Sequence, residues 1–413
     1  MRSFRSLSSL KLAPGERVLV RVDWNVPLDG GLKPEQSLKI ERSLETIEWL
    51  QKKKAVVILL THLGRPKGVD PAFSTSVLVP LLKRVYQLKL THHAERVSSA
   101  KERAHLQTEL AEAEPGSIHL LENVRFEAGE DKNTLPLAKA YATLASAFVN
   151  DAFASCHRAH ASVVGIAKQL PAYAGKSLLE EDRALSKLLA DKPRPRLAVI
   201  GGLKLSSKLP LLRTLLQRFD QVLVGGAMAT TIKAAHGQAV GASFVEPECF
   251  REAKRLVSYG QLVLPEDVVV ARVHSLKKYR VTTWDEIEND ERVVDVGPKT
   301  LRTWGKLIAE AKVLVWNGPV GFFEVSAFGA GTRFVARAVG ARSKGSAYGV
   351  AGGGETLAAI AGTKTSAWFD HLSTGGGALL EYLSKEGDLP GLAPLLEETK
   401  PRASPKARAK RST

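Results

Sequence analysis

A chain of 413 residues is too long for one compact domain, and at about 100–200 residues per domain it predicts two. Hydrophobic residues at 44% and charged residues at 25% exclude a disordered or collagen-like chain. The 59 Lys and Arg against 43 Asp and Glu leave +16. Six of those units lie in residues 399–413, which contain no acid, so +10 remains on the body. A basic body implies anionic partners: nucleic acid, a membrane surface or phosphorylated small molecules.

In chain order, short unbroken apolar runs predict strands at 17–22, 56–61, 118–121 and 147–149. A second series follows at 197–200, 222–224, 262–264, 313–316 and 348–351. Unbroken rather than alternating runs are the pattern of parallel strands buried on both faces. Helical periodicity appears at 43–53, 136–144, 178–189, 299–311 and 334–339. Strand–helix alternation in two blocks predicts two α/β domains with mostly parallel sheets. The expected boundaries are a first domain over 1–172, a hinge helix over 173–194 closed by Pro193 and Pro195, and a second domain over 195–385. Residues 386–398 are expected to return to the first domain, and 399–413 to form a basic disordered tail.

Cys156 and Cys249 cannot make a disulfide framework and read as packing residues in a reducing compartment. No apolar run approaches the roughly 20 residues that span a bilayer. The N-terminus carries Arg2, Arg5 and serines but no amphipathic stripe, so it does not read as a targeting segment. A cytoplasmic location is expected.

Ligands of parallel α/β sheets bind beyond the carboxyl ends of strands, so the turns there carry the chemistry. In the first block they hold Asp23-Trp24-Asn25, His62-Leu63-Gly64-Arg65, Glu122 to Arg125, and Asn150 to His160 with Arg158. Arg65, Arg125 and Arg158 at successive strand ends predict a small polyanionic ligand, because guanidinium forks match phosphate and carboxylate. In the second block the strands end in glycine: Gly201-Gly202, Gly225-Gly226, Asn317-Gly318 and Gly352-Gly353-Gly354-Glu355-Thr356, with Gly375-Gly376-Gly377 further on. Glycine lets backbone amides approach phosphate oxygens, and a following helix N-terminus favours negative charge. Lys204 and Lys208, four apart, are expected to point the same way. Together these predict a nucleotide cradle.

Four other motifs fail. Gly175-Lys176-Ser177 lacks the upstream glycine of a P-loop, since Leu170 stands there. Gly329 and Gly331 lack the third glycine of a dinucleotide fingerprint, since Phe334 occupies that place. His157 and His160 have no third ligand at zinc spacing. There is no Gly-x-Ser-x-Gly elbow.

At residues 21–27, 62–67, 121–126, 149–162, 201–208, 315–323, 352–356 and 371–377 the chain resembles phosphoglycerate kinase, with all the motifs in order over about residues 6–398. The resemblance implies a bilobal kinase of two Rossmann-like domains with a hinge helix. One lobe would bind 3-phosphoglycerate or 1,3-bisphosphoglycerate, the other ATP or ADP with Mg²⁺. It implies substrate binding by Asp23, Trp24, Asn25, Lys39, His62, Leu63, Gly64, Arg65, Arg125 and Arg158, and transfer by Lys39, Lys204 and Lys208. It implies nucleotide binding by Gly202, Lys208, Gly225, Gly226, Asn317, Glu324, Gly353, Gly354, Glu355 and Thr356, with Glu324 near the ribose and Glu355 on the metal. A monomer is implied as well.

Three positions depart from the family pattern. Lys39 stands where the family has a catalytic arginine, which keeps the charge but loses the fork. Arg42, one helical turn along, is the other candidate for that role, and the adjoining loop 29–36 leaves the register open. Glu355 stands where the family has a metal-binding aspartate, and Ser207 where many members have Asp. The alternative reading is a catalytically weakened, kinase-like binding scaffold. No basic patch interleaved with aromatics supports nucleic acid as a partner.

Overall fold

In the computed structural model, residues 2–26, 34–191 and 193–397 are described, and the side chains of 34–36 are not. The basic tail and most of the loop before residue 37 lie outside the described residues.

The first sheet contains β1 (Arg17–Arg21), β2 (Val56–Leu60), β3 (Thr91–His93), β4 (Ile118–Leu121), β5 (Ala147–Asn150) and β6 (Ala172–Ala174). All are parallel, in the order β3-β4-β2-β1-β5-β6. The second sheet holds β7 (Arg196–Ile200), β8 (Gln221–Val224) and β9 (Leu262–Val263). A separate antiparallel sheet is formed by β10 (Asp267–Arg272), β11 (Ser275–Thr283) and β12 (Glu291–Val296). The second sheet is completed by β13 (Val313–Asn317), β14 (Tyr348–Gly352) and β15 (His371–Ser373), in the parallel order β15-β14-β13-β7-β8-β9. Strands β2, β4, β5, β7 and β13 are buried along their whole length, as unbroken apolar runs require.

Helices α1 (Pro34–Lys52), α2 (Val79–Tyr86), α3 (Ala100–Ala111) and α4 (Leu135–Ala142) flank the first sheet. Helix α5 (Lys176–Leu189) leads into the second block, which carries α6 (Leu209–Arg218), α7 (Ala227–Ala235), α8 (Phe250–Leu256), α9 (Pro298–Glu310), α10 (Ala330–Lys344), α11 (Gly354–Thr363) and α12 (Gly377–Ser384). Leu178, Leu185 and Leu188 recur at helical spacing on one face of α5, and all are buried. They belong to a single apolar cluster that runs from Leu19, Ile58 and Phe148 to Ala198, Val313 and Leu383, so α5 is packed into both sheets. The outer face of the first sheet has its own core around Trp24, Ile47 and Val57; that of the second centres on Trp304, Trp316 and Val339.

Residues 173 and 174, expected at the start of the hinge helix, instead form the end of β6, and Gly175 precedes α5. Near the C-terminus, Leu396 bridges Phe4 and Gly391 N donates to Cys156 O. Both cysteines are free and buried. No helix among the described residues is long and apolar enough to cross a membrane.

Candidate active site

Each parallel sheet has one place where neighbouring strands lead off in opposite directions. In the first, β1 continues to β2 on one side and its neighbour β5 to β6 on the other. In the second, β7 continues to β8 and its neighbour β13 to β14. The two crevices beyond these strand ends are where this architecture receives ligands.

A cavity of about 240 Å³ occupies the first crevice. Arg21, Lys39, Arg65, Arg125 and Arg158 line it, with Asp23 as the only acid among the lining residues. Lys39, on α1, sets its Nζ 3.3 Å from Asp23 Oδ2 and donates to Asn25 O at 3.2 Å. Arg42 does not line this cavity; it pairs with the buried carboxylate of Glu181 at 2.8 Å. Asn25 Oδ1 accepts from Gly64 N at 2.9 Å, and Asn123 Nδ2 donates to Leu63 O at 2.8 Å. These bonds hold the loop that carries His62 and Arg65.

Arg21 is fully buried at the end of β1 and reaches His62 Nδ1 at 3.1 Å and Ser162 Oγ at 3.1 Å. Burial, then the charges of Arg21, Arg125 and Lys39, hold the His62 pKa well below its ordinary value, so the ring is neutral near pH 7. Burial also brings His160 down to about 4, helped by Arg125, Arg158 and Arg21 and opposed by Asp131. Arg125 is lowered by burial and by the charges of Arg158 and Arg65. The cations therefore repel one another, and a polyanion in the cavity would relieve that repulsion.

Trp24, Leu63 and Gly64, expected to bind substrate, do not line the cavity. Trp24 is wholly buried in the outer core with Nε1 on Ser43 Oγ at 2.8 Å, and Leu63 packs into the same cluster. Conversely, the cavity includes Ser155, His157 and His160. It also includes Thr374, Gly375, Gly376 and Gly377. These glycines were expected in the nucleotide cradle, but the turn after β15 brings them against the cations of the first block. At Gly376 (φ +52) an added Cβ would meet nothing within 4 Å, so that backbone faces open space. The pairing of strand ends across blocks is not encoded in local spacing. Arg21 carried a usable signal, a charged residue inside an otherwise apolar buried strand.

In the second crevice the glycine turns lie against one another. A Cβ on Gly201 would fall 2.0 Å from Pro319 O, and one on Gly225 would fall 2.7 Å from Val320 Cβ. Packing between strand ends therefore explains these two glycines before any ligand is invoked. Lys208 spans the crevice, donating to Gly201 O at 2.6 Å and to Asn317 O at 3.4 Å. Burial lowers its pKa to about 8, partly countered by Glu355. Lys204 is exposed and lies before the short turn Ser206–Lys208, so the two lysines do not share a helical face as expected. Asn317 Nδ2 donates to Gly352 O at 2.6 Å, and Thr356 Oγ1 accepts from Gly318 N at 2.7 Å. Gly353 (φ +100) precedes α11, whose first turn exposes Gly354 and Glu355. Among the described residues, no ion pair or hydrogen bond engages the Glu355 carboxylate. Glu324 is exposed on the loop after β13, and Ser207 Oγ donates to Lys204 O at 2.9 Å.

Comparison with known proteins follows the same outline. The family model described as phosphoglycerate kinase matches residues 8–386. A Thermus thermophilus protein named phosphoglycerate kinase is 44% identical over 384 residues, covering 92% of this chain and 96% of its own length. One from Azorhizobium caulinodans is 40% identical over 402 residues, covering 96% of this chain and all of its own. The solved structure of phosphoglycerate kinase from Coxiella burnetii superposes with a TM-score of 0.80 at 39% identity, covering 95% of this chain and 98% of that one. That from Pyrococcus horikoshii gives 0.81 at 26% identity with the same coverage.

Proposed function

The chain belongs to the phosphoglycerate kinase family, and from that membership we propose how its own residues divide the work of phosphoryl transfer between 1,3-bisphosphoglycerate and ADP. The observation that carries the proposal is the first crevice, where five cations and one acid line a single cavity.

Arg65, Arg125 and Arg158 hold the phosphate that is not transferred, since forked guanidinium groups match its oxygens. Asp23, Asn25 and His62 position the rest of the phosphoglycerate, and the Gly64 amide, bonded to Asn25 Oδ1, fixes the loop that carries His62. Arg21 sets the orientation of His62 from below, and the neutral imidazole serves as a hydrogen-bonding group rather than as a charge. Lys39 faces the transferring phosphoryl group, because it lines the cavity while Arg42 is held by Glu181.

On the nucleotide side, Gly202, Gly225, Gly226, Asn317, Gly353, Gly354 and Thr356 form the cradle, with Glu324 toward the ribose. Lys208, with Lys204, meets the transferring group. Magnesium fits Glu355: one exposed hard carboxylate, held in no ion pair or hydrogen bond among the described residues, suits a cation that takes its other ligands from phosphate and water. When bound, the ion would neutralise charge on the nucleotide phosphates.

The reacting carboxylate is already ionised near pH 7, so no general base is required, and catalysis rests on alignment and positive charge. The first domain, residues 1–172, and the second, 195–385, would close about α5 to bring Lys39 and Lys208 to one phosphoryl group and exclude water. The alternative of a catalytically weakened scaffold finds no support in the relatives. A coupled assay consuming ATP and 3-phosphoglycerate should show turnover. Background activity, with both ligands still binding, would overturn the assignment of roles.

A further inference from the structure

Away from both crevices, at the β3 edge of the first sheet, two histidines and two glutamates gather. His93 ends β3, and its Nδ1 lies 3.1 Å from Glu109 Oε2 and 4.0 Å from Glu95 Oε2. The donor atoms of these three residues all lie within 4.8 Å of one another. His105 stands one turn before Glu109 on α3. Its Nδ1 is 3.2 Å from Glu95 Oε1 and 3.9 Å from Glu109 Oε2. These separations bracket the about 3.3 Å between donors of a tetrahedral zinc site with bonds near 2.0 Å.

The imidazole of His93 is oriented from behind. Its Nε2 lies 2.8 Å from His119 Nδ1, and His119 Nε2 lies 2.9 Å from Ser117 Oγ. Such a relay on the far nitrogen is what holds a metal-binding histidine in one tautomer and leaves Nδ1 free to coordinate. His93 is buried, whereas the side chains of His105 and Glu109 are 62% and 45% exposed, so the cluster opens to solvent on one side. Two imidazole nitrogens and two carboxylates suit a divalent cation. The mixed nitrogen and oxygen donors favour zinc over magnesium or calcium, which prefer oxygen alone.

We propose that His93, Glu95 and Glu109, with His105 as fourth donor, form a zinc-class metal site that clamps α3 to the edge of the first sheet. Strands β4 and β2 separate this edge from β1 and the first crevice, so the site is independent of phosphoryl transfer.

The test is equilibrium dialysis of the metal-stripped full chain against Zn²⁺ in excess Mg²⁺, which occupies carboxylates of the nucleotide side. Wild type should take up one zinc per chain. The exposed double variant His105→Ala/Glu109→Gln should bind at least about 100-fold more weakly, as should Glu95→Gln, each with turnover of the zinc-free enzyme, assayed with Mg²⁺, unchanged. Cobalt bound to wild type should show the visible absorption of a four-coordinate site, absent from the variants. Failure of wild type to take up zinc, or equal uptake by wild type and both variants, overturns the proposal.

Discussion

Replacing Lys208 by methionine should lower turnover steeply while leaving the fold as stable as before, or more so. The ammonium is drawn from an ordinary pKa of 10.5 to about 8, mainly by burial. That shift corresponds to about 3 kcal/mol held against the charged form in the folded protein. Methionine fills similar space without charge. It leaves Gly201 O without its donor, which costs about 1–3 kcal/mol. The net effect near neutrality is therefore between no change and about 2 kcal/mol of added stability. Turnover should fall about 10²–10³-fold, the usual effect of deleting one preorganised charge at a transition state. The pH dependence has a definite sign. Between about 8 and 10.5 the unfolded chain keeps a proton that the folded chain has lost, so wild-type stability rises relative to the variant with pH. The burial cost is fully present below pH 8 and disappears toward 10.5. Urea unfolding near pH 7 and about pH 9.5, with turnover measured in parallel, checks each part. A variant destabilised by more than about 1 kcal/mol near neutrality, with a gap that does not move with pH, would refute the reasoning.

Two further substitutions separate chemistry from architecture. Lys39→Ala should lower turnover about 10²-fold or more with nucleotide affinity unchanged, and Lys39→Arg should restore or raise it by supplying the fork. Arg42→Ala should instead reduce stability by less than the about 3 kcal/mol of a wholly unpaired buried carboxylate, since Glu181 loses its guanidinium but keeps His371 and the Thr374 amide; a silent Lys39→Ala beside an inactive Arg42→Ala would reverse these roles. At the same junction, His371 lies 3.0 Å from Glu181 and 3.4 Å from Glu180. Burial opposes its charge, but those two carboxylates prevail and its pKa is raised. Its contribution is thus full below the unfolded value of 6.5 and is lost as pH rises through the folded value. The stability difference between wild type and His371→Gln should be large near pH 6 and shrink at alkaline pH in calorimetry; a difference that grows with pH would contradict the assignment.

The parallel sheets were legible because a strand buried on both faces needs an unbroken apolar run, as in Val56–Leu60. The antiparallel β10–β12 sheet was not. In β11 most residues are exposed, Leu276, Tyr279 and Val281 among them, so Ser275–Thr283 carries no unbroken apolar run, although the run Val268, Val269, Val270 in β10 was available as a signal. Strands β3, β6 and β15 are three residues each, too short for periodicity to register.

For the site, residue chemistry at strand ends was sufficient to nominate Arg65, Arg125 and Arg158, because strand direction determines which turns meet at one edge; Lys39, inside α1, was indicated only by the family resemblance. It could not exclude Trp24, whose indole is polar enough to bind a ligand but whose burial is set by α1 packing over it. Nor could it choose between Lys39 and Arg42, one turn apart on the same helix. That choice depends on Glu181, which lies 139 positions away from Arg42 in the chain and reaches it only through α5. Likewise Gly375, Gly376 and Gly377 belong to the second sheet in sequence and to the first cavity in space. Local sequence determines strands, glycine turns and charge, because these depend on neighbours along the chain. Tertiary structure alone decided which cation is held by a buried acid and which second-block glycines enter the first cavity, because those pairings join residues more than a hundred positions apart.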